Sequence, residues 1–284
     1  MKLSKAYQCL FNELRDDRYL TWTVYEYFIE RNASPHIDKV NVIVRIDVDD
    51  GLQLCDLLSS ILRQKGINAS FYFLTHPNRY YNIWESKIPK IVKERGFEIG
   101  LHTDHYYEEL VFGKNALQEI KKDVARLSEL VGEHIKGMVS HGHSGIHSLG
   151  KRNWDIYRNI LPHDLGLVYH DFTVGMGPQK YQKFHFYHIS DYQSGVVNAW
   201  KYLPQYPVQK LKRLKRGDVA VIFMHPSNAF EMSKKITLNF KHFLWIRLRY
   251  QLIDPLIKGE SARLYFYNML PKALRKRFRN LILR

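Results

Sequence analysis

Cysteine is scarce in this chain: only Cys9 and Cys55 occur among 284 residues. Two widely separated cysteines show no metal-binding spacing and exclude a disulfide framework, which favours a reducing compartment. Long charge-free runs are also missing, so no segment has the length of apolar residues that a membrane-spanning helix needs. The N-terminus lacks the uninterrupted apolar core of a signal peptide. We therefore expect a cytoplasmic protein.

Acidic residues are outnumbered, since 28 Asp and Glu stand against 43 Lys and Arg, for a formal net charge of +15. This excess favours an anionic partner such as a phosphate, a nucleic acid or an acidic membrane surface. A hydrophobic content of 45% and an aromatic content of 14% are typical of a folded protein. The length suffices for a full core, and one α/β domain with a tail is the natural expectation.

Predicted strands and helices alternate along the first half of the chain. Strands are predicted at 41–47, 68–74, 97–101 and 137–140, and helices at 52–65, 84–95 and 115–131. Each of these helices ends at a glycine, which tolerates the left-handed conformation of a helix C-terminus. A strand and a helix in each repeat of about 30 residues predict parallel strands in an α/β sheet or barrel.

The rest of the chain is less regular. Further strands are predicted at 165–170, 184–189 and 218–224, and helix is predicted across 6–32. We expect three parts: a helical N-terminal segment at 1–38, an α/β domain at 39–232 and a basic amphipathic helical extension at 233–284.

Three carboxylates follow the first long strand, at Asp47, Asp49 and Asp50. Adjacent anions repel one another and resist burial, so the cluster indicates a bound cation or a carboxylate that acts as a base. The simpler alternative is a solvated turn, because Asp50 precedes Gly51.

Histidines follow other predicted strands, at His102, His141 and His225. Because the carboxyl ends of parallel strands meet at one rim, residues more than a hundred positions apart are expected to converge there. One Asp and two His form a ligand set suited to Zn²⁺ with an open coordination position. Each histidine taken alone also fits a hydrogen-bonded core residue.

Four motifs in order carry a family resemblance: Val48-Asp-Asp-Gly51, Ala69-Ser-Phe-Tyr-Phe73, Gly96-Phe-Glu-Ile-Gly-Leu-His-Thr103 and Ile222-Phe-Met-His225. With them the chain resembles the polysaccharide deacetylase (NodB-homology) superfamily over about residues 40 to 230. Asp-Val-Asp, Ser-His-Gly and Ile-Ser-Asp make it most similar to the divergent WbmS-like branch.

The resemblance implies a distorted (β/α) barrel and a metal-dependent N-deacetylase, with Zn²⁺ as the expected metal. The substrate would be an acetamido sugar, linked to a nucleotide, lipid or polymer, in bacterial surface polysaccharide or lipopolysaccharide biosynthesis. Two alternatives remain: an inactive barrel that serves as a binding or scaffold subunit of a membrane glycan-assembly complex, and a metal hydrolase of another amide or ester.

The resemblance also implies residue roles, in two registers. The favoured register has Asp47 as the base and Asp49 as a metal ligand, because residues two apart in a strand share a face. The other register makes Asp49 the base and Asp50 the ligand. The family's usual Arg-x-Pro-Tyr motif is missing, and Arg45 either replaces its arginine or points outward.

His102 matches the first histidine ligand of the family. The second is His141 or, as a secondary candidate, His105, because Tyr106 stands where the family has its usual histidine. His225 matches the catalytic acid, and Asp191 is expected to orient it.

The end of the chain, 270–284, contains no acidic residue. Its apolar residues fall on one helical face and its basic residues largely off it, which suits an anionic membrane surface. No nucleic-acid recognition motif is present, so nucleic acid is not expected as a partner.

Overall fold

The computed structural model describes residues 1–76, 81–142, 146, 151–176, 186–191, 200 and 204–231. Its strands are β1 (Lys2–Leu3), β2 (Tyr19–Trp22), β3 (Val40–Val48), β4 (Ser70–Leu74), β5 (Glu98–Thr103), β6 (Gly137–Ser140), β7 (Tyr169–His170), β8 (Tyr187–Ser190), β9 (Val219–Met224) and β10 (Phe230–Glu231). Its α-helices are α1 (Lys5–Glu13), α2 (Leu52–Gln64), α3 (Ile88–Glu94), α4 (His105–Phe112), α5 (Ala116–Val131), α6 (Tyr206–Lys212) and α7 (Pro226–Ala229).

One parallel sheet organises the molecule, in the strand order β7-β6-β5-β4-β3-β9-β8. Strand β2 also pairs in parallel with the first half of β3, on the edge that β4 occupies along the second half. The sheet curls into half of a barrel. The prediction of an α/β fold of the (β/α) barrel type is confirmed.

The two faces of the sheet carry different packing. On the outer face, Val42, Val44 and Ile46 join a large core with residues of α1, α2, α3 and α5. On the inner face, Ile43 joins a smaller cluster that includes Tyr72 and Val221. Both sides of β3 are therefore buried, as expected for a strand in the middle of a parallel sheet.

Two tyrosines lie across the inner face over glycines. A Cβ built on Gly100 would meet the ring of Tyr72 at 2.4 Å, and one built on Gly137 would meet the ring of Tyr169 at 2.0 Å. The two hydroxyl groups meet at 2.5 Å, and Tyr169 also donates a hydrogen bond to Glu98. Glycine at both positions thus makes room for a tyrosine pair beneath the rim of the half-barrel.

The N-terminal segment differs from the expected run of helix. It contains α1, but residues 19–22 form β2, and a single π-helical turn covers Glu26–Glu30. The strand forms because alternate side chains of its Tyr-Leu-Thr-Trp sequence are buried on the sheet. The expected helix at 84–95 is also split, into a 3₁₀ turn at Ile83–Glu85 and α3, with Pro89 in the first turn of α3.

Some other predicted elements are shorter in the structure than expected, or lie outside the described residues. The strand expected at 165–170 is confined to Tyr169–His170 and follows a 3₁₀ turn at Pro162–Leu165. Helix α4 was not anticipated from the sequence. The basic extension at 233–284 lies outside the described residues, so it stays a prediction, as does the division into three parts. Among the residues that the structure describes, no helix has the length and apolar character needed to cross a membrane.

Candidate metal and catalytic site

The carboxyl ends of β3, β5 and β6 bring three predicted ligands together. One donor atom from each of Asp49, His102 and His141 lies within 4.8 Å of the others, the spacing expected around one metal ion. Nε2 of His102 is 3.1 Å from Oδ1 of Asp49, and Nε2 of His141 is 3.7 Å from Oδ2 of Asp49. Within the described part of the chain, this is the one group of such donors.

The orientation of His102 fits a metal ligand. Its Nδ1 lies 3.2 Å from the carbonyl oxygen of Val139 and, since a carbonyl only accepts, must donate to it. In the neutral imidazole Nε2 therefore carries a lone pair, and this lone pair faces the carboxylate of Asp49. Oδ1 of Asp49 is buried and has no hydrogen-bond partner among the described residues. Two facing acceptors are stable when a cation lies between them.

His141 is held in a similar way. Its Nδ1 lies 3.5 Å from Oδ2 of Asp104, and its carbonyl accepts a hydrogen bond from Asn153, which also donates to Asp104. Burial lowers the pKa of His141, but the charge of Asp49 and the contact with Asp104 outweigh it and raise the pKa to about 9. Carboxylate–histidine pairs of this kind fix the ring and leave the far nitrogen for a ligand role.

Arg45 points into the site and pairs with Asp47. Its Nε donates to Oδ1 and its Nη2 to Oδ2 of Asp47, each at 2.6 Å, and both side chains are buried. Burial alone would raise the pKa of Asp47, but the charge of Arg45 outweighs it and lowers that pKa. Oδ2 of Asp47 also lies 3.7 Å from Nε2 of His102, so this ion pair borders the candidate metal position.

Asp50 stands apart from the other two carboxylates. It is exposed, whereas Asp47 is buried and Asp49 is half-buried. Successive side chains of a strand point to opposite faces, so Asp47 and Asp49 share the inner face with Arg45. The structure therefore brings together the residues of the favoured register, Asp47 with Asp49.

His225, after β9, faces the same carboxylate from the opposite side. Its Nδ1 lies 2.8 Å from Oδ1 of Asp191, and its Nε2 lies 3.6 Å from Oδ2 of Asp49. Burial lowers the pKa of His225, but the hydrogen bond to Asp191 and the nearby carboxylates outweigh it and raise the pKa to about 10. Asp191 thus orients the imidazole with Nε2 toward the candidate metal position.

Asp191 is itself held from three directions. It is fully buried, and its Oδ2 accepts hydrogen bonds from the hydroxyl of Tyr7, the backbone N–H of His225 and the side chain of Asn228. Tyr7 belongs to α1, so the N-terminal segment contributes directly to the support of His225.

His105 is directed away from the three ligands. Its Nδ1 is 2.8 Å from the hydroxyl of Thr103, and its Nε2 is 3.0 Å from Oδ2 of Asp123 on α5. Both ring nitrogens therefore have partners on the side of α5, and the described geometry groups His141, not His105, with His102.

Sequence reasoning missed four supporting residues: Tyr7, Asp104, Asn153 and Asn228. Asp104 left a signal, because it is a charged residue two positions after His102, and so did Asn228, a polar residue three positions after His225. Tyr7 and Asn153 left none, since their partners lie 184 and 49 positions away in the chain. His143, His147, His185 and His242 lie outside the described residues.

The sequence matches no protein-family model and no curated protein. Among solved structures the chain is similar to the polysaccharide deacetylase Bc1974 from Bacillus cereus, with 18% identity, a TM-score of 0.42 and coverage of 65% of this chain and 78% of that one. A family 4 carbohydrate esterase from Bacillus anthracis matches with 12% identity and a TM-score of 0.39, over 88% of this chain and 92% of that one.

A third match is BA3943 from Bacillus anthracis, a pseudoenzyme of the carbohydrate esterase family 4. It matches with 16% identity and a TM-score of 0.41, over 76% of this chain and 63% of that one.

Proposed function

We propose that this chain is a metal-dependent N-deacetylase that removes the acetyl group from an acetamido sugar. The observation that carries the proposal is the convergence of Asp49, His102 and His141, with Asp47 on one side and His225 on the other. Asp and His donors in this number favour Zn²⁺ with an open position.

A bound metal ion would polarise the acetamide carbonyl and lower the pKa of a water molecule. Asp47 would accept the proton of that water as it attacks the carbonyl carbon, and Arg45 would hold Asp47 in place through its two hydrogen bonds. Nε2 of His225 would donate a proton to the sugar nitrogen as the C–N bond breaks, while Asp191 holds Nδ1. The products are acetate and the amino sugar.

The experiment that tests this proposal measures metal content and acetate release from the same preparation. We expect one divalent ion per chain and acetate release from a panel of nucleotide-, lipid- and polymer-linked acetamido sugars. His102→Ala should lose both the ion and the activity, while His163→Ala, at an exposed surface position, should keep both.

The same panel separates the competing functions. Metal binding by the parent chain without acetate release from any substrate of the panel would favour a binding or scaffold subunit. Turnover of ester substrates alone would favour an esterase. A chain that binds no divalent ion would refute the metal-dependent proposal altogether.

We also propose a cytoplasmic location at an anionic membrane surface, and a role in bacterial surface polysaccharide or lipopolysaccharide assembly. The acid-free amphipathic pattern of 270–284 and the family resemblance support this part. Flotation with vesicles that contain anionic lipid tests it: the full chain should float, and the double variant Leu274→Gln/Phe278→Gln, which keeps every charge, should float less. Equal flotation of both would contradict it.

A further inference from the structure

The guanidinium of Arg45 lies between two aromatic rings from the strands on either side of β3. Its Cζ is 5.0 Å from the ring centroid of Phe223 on β9 and 5.7 Å from that of Tyr72 on β4. The strand register explains this placement, because Phe223 pairs with Arg45 and Tyr72 pairs with Asp47. Paired residues in neighbouring strands share a face, so all four side chains lie on the inner face.

Each ring is fixed from the side away from Arg45. Tyr72 lies over Gly100, and its hydroxyl meets that of Tyr169 at 2.5 Å. Phe223 stacks on His188 of β8, with centroids 5.5 Å apart and planes 12° from parallel. Neither ring can turn away from the guanidinium without breaking a contact of its own.

The two rings add to the constraint that Asp47 places on Arg45. Asp47 lies two positions after Arg45 in the same strand. The side chain of Arg45 must therefore bend along the strand to place both Nε and Nη2 on the carboxylate of Asp47. A buried guanidinium over an aromatic face gains from cation–π attraction and stays accessible in the plane of its N–H groups. Both ring centroids lie within about 6 Å of the guanidinium carbon, while Nε and Nη2 are directed at Asp47.

We propose that Tyr72 and Phe223 are positioning residues that clamp Arg45 in the plane in which it holds Asp47. The catalytic consequence of this clamp rests on the proposed function. The clamp itself concerns only the mobility of Arg45, which can be measured without substrate. The aromatic ring is the required feature, and the hydroxyl of Tyr72 is not.

The test uses the full chain labelled with ¹⁵N-arginine. The Nε–H signal of Arg45, identified by its loss in Arg45→Lys, should exchange slowly with solvent in the parent and in Tyr72→Phe. In Tyr72→Leu and in Phe223→Leu it should exchange at least about tenfold faster, since the lost cation–π contact is of that size. Circular dichroism and thermal unfolding establish that each variant is folded, and the two leucine variants lie on different strands.

Activity gives the second readout. Where the parent releases acetate, the leucine variants should lose about tenfold in kcat with KM and metal content unchanged, and Tyr72→Phe should keep near-parent kcat. Unchanged exchange of the Arg45 signal in both leucine variants would overturn the clamp. Faster exchange in a chain that releases no acetate would uphold the clamp and refute the proposed function instead.

Discussion

Strand β3 presents two faces that are equally buried and chemically opposite. Val42, Val44 and Ile46 pack against helices on the outer face, whereas Arg45 and Asp47 carry charges into the inner face. A Val or an Ile on the outer face contributes through the water it excludes and the volume it fills. A charged residue at the same depth is costly unless a partner satisfies it.

The comparison teaches where stability and function separate. The side chains of the outer face can be replaced by other apolar side chains of similar size, because packing depends on volume. The inner face depends on particular atoms at particular distances. Changes on the two faces should therefore move different measurements, and four variants test this separation in order of expected effect.

The largest effect is expected from Arg45→Met. It leaves the buried carboxylate of Asp47 without its partner, which should lower the free energy of unfolding by about 3–5 kcal/mol. The double variant Arg45→Met/Asp47→Leu removes both charges and should recover most of that loss while remaining inactive. Urea unfolding followed by circular dichroism measures both. A single variant within about 1 kcal/mol of the parent would mean that solvent satisfies Asp47 instead.

Asp104→Asn should weaken divalent-metal affinity by about 10–100-fold, because His141 loses the carboxylate that orients its ring. Isothermal titration with Zn²⁺ measures the change, and Asp164→Asn, at an exposed position, is the matched control. Unfolding in urea should change far less than in Arg45→Met. Equal affinities of the parent and both variants would exclude a supporting role for Asp104.

Ile46→Val tests the outer face with a single methylene. We expect a loss of about 0.5–1.5 kcal/mol in unfolding free energy, the usual cost of such a cavity. Metal affinity and acetate release per folded molecule should match the parent. A change in metal affinity without a change in stability would break the separation of the two faces.

The smallest effect concerns a histidine on the helix-covered side. His170 is fully buried; its Nε2 donates to the carbonyl of Ile160, and its Nδ1 accepts from the N–H of Thr173. Burial lowers the pKa of His170 from its ordinary 6.5. Protonation would remove the acceptor, so the stability that this residue contributes is present above about pH 6.5 and is lost as the pH falls through the lowered folded-state pKa.

His170→Gln keeps one donor and one acceptor but does not titrate. The difference in unfolding free energy between parent and variant should therefore move in favour of the variant between pH 7.5 and pH 5.5. A constant difference over that range would show that His170 has the same pKa in the folded and the unfolded chain, which would contradict the lowered pKa.

Much of the fold could be predicted from the sequence, because strands such as 137–140 and helices such as 115–131 have clear boundaries in the residue pattern. Gly132 ends its helix in the left-handed conformation that its position predicted. Strand β2 was not accessible, since a four-residue aromatic segment has no periodicity that separates it from helix. It is a strand only because β3 offers it a free edge.

The residue types of the site could be predicted from the sequence, but their contacts could not. Alternation placed Asp47 and Asp49 on one face, and strand ends placed His102 and His141 at one rim. The direction of Arg45 stayed open because both faces of this strand carry apolar residues, so the sequence does not show which face turns into the half-barrel. The support of His225 by Tyr7 depends on α1 packing beside β8 and β9, which no local pattern encodes.

Gly100 lies inside the Glu-Ile-Gly-Leu-His motif, two residues before a candidate ligand, and has no side chain that could bind a metal. Because Gly100 has no Cβ, the ring of Tyr72 can pack directly against its backbone. An alanine there would push that ring toward Arg45 and so disturb Asp47, although Gly100 lies two strands away from it. Redesign of this centre should therefore change Gly100 and Tyr72 together, because the ring of one occupies the space left by the other.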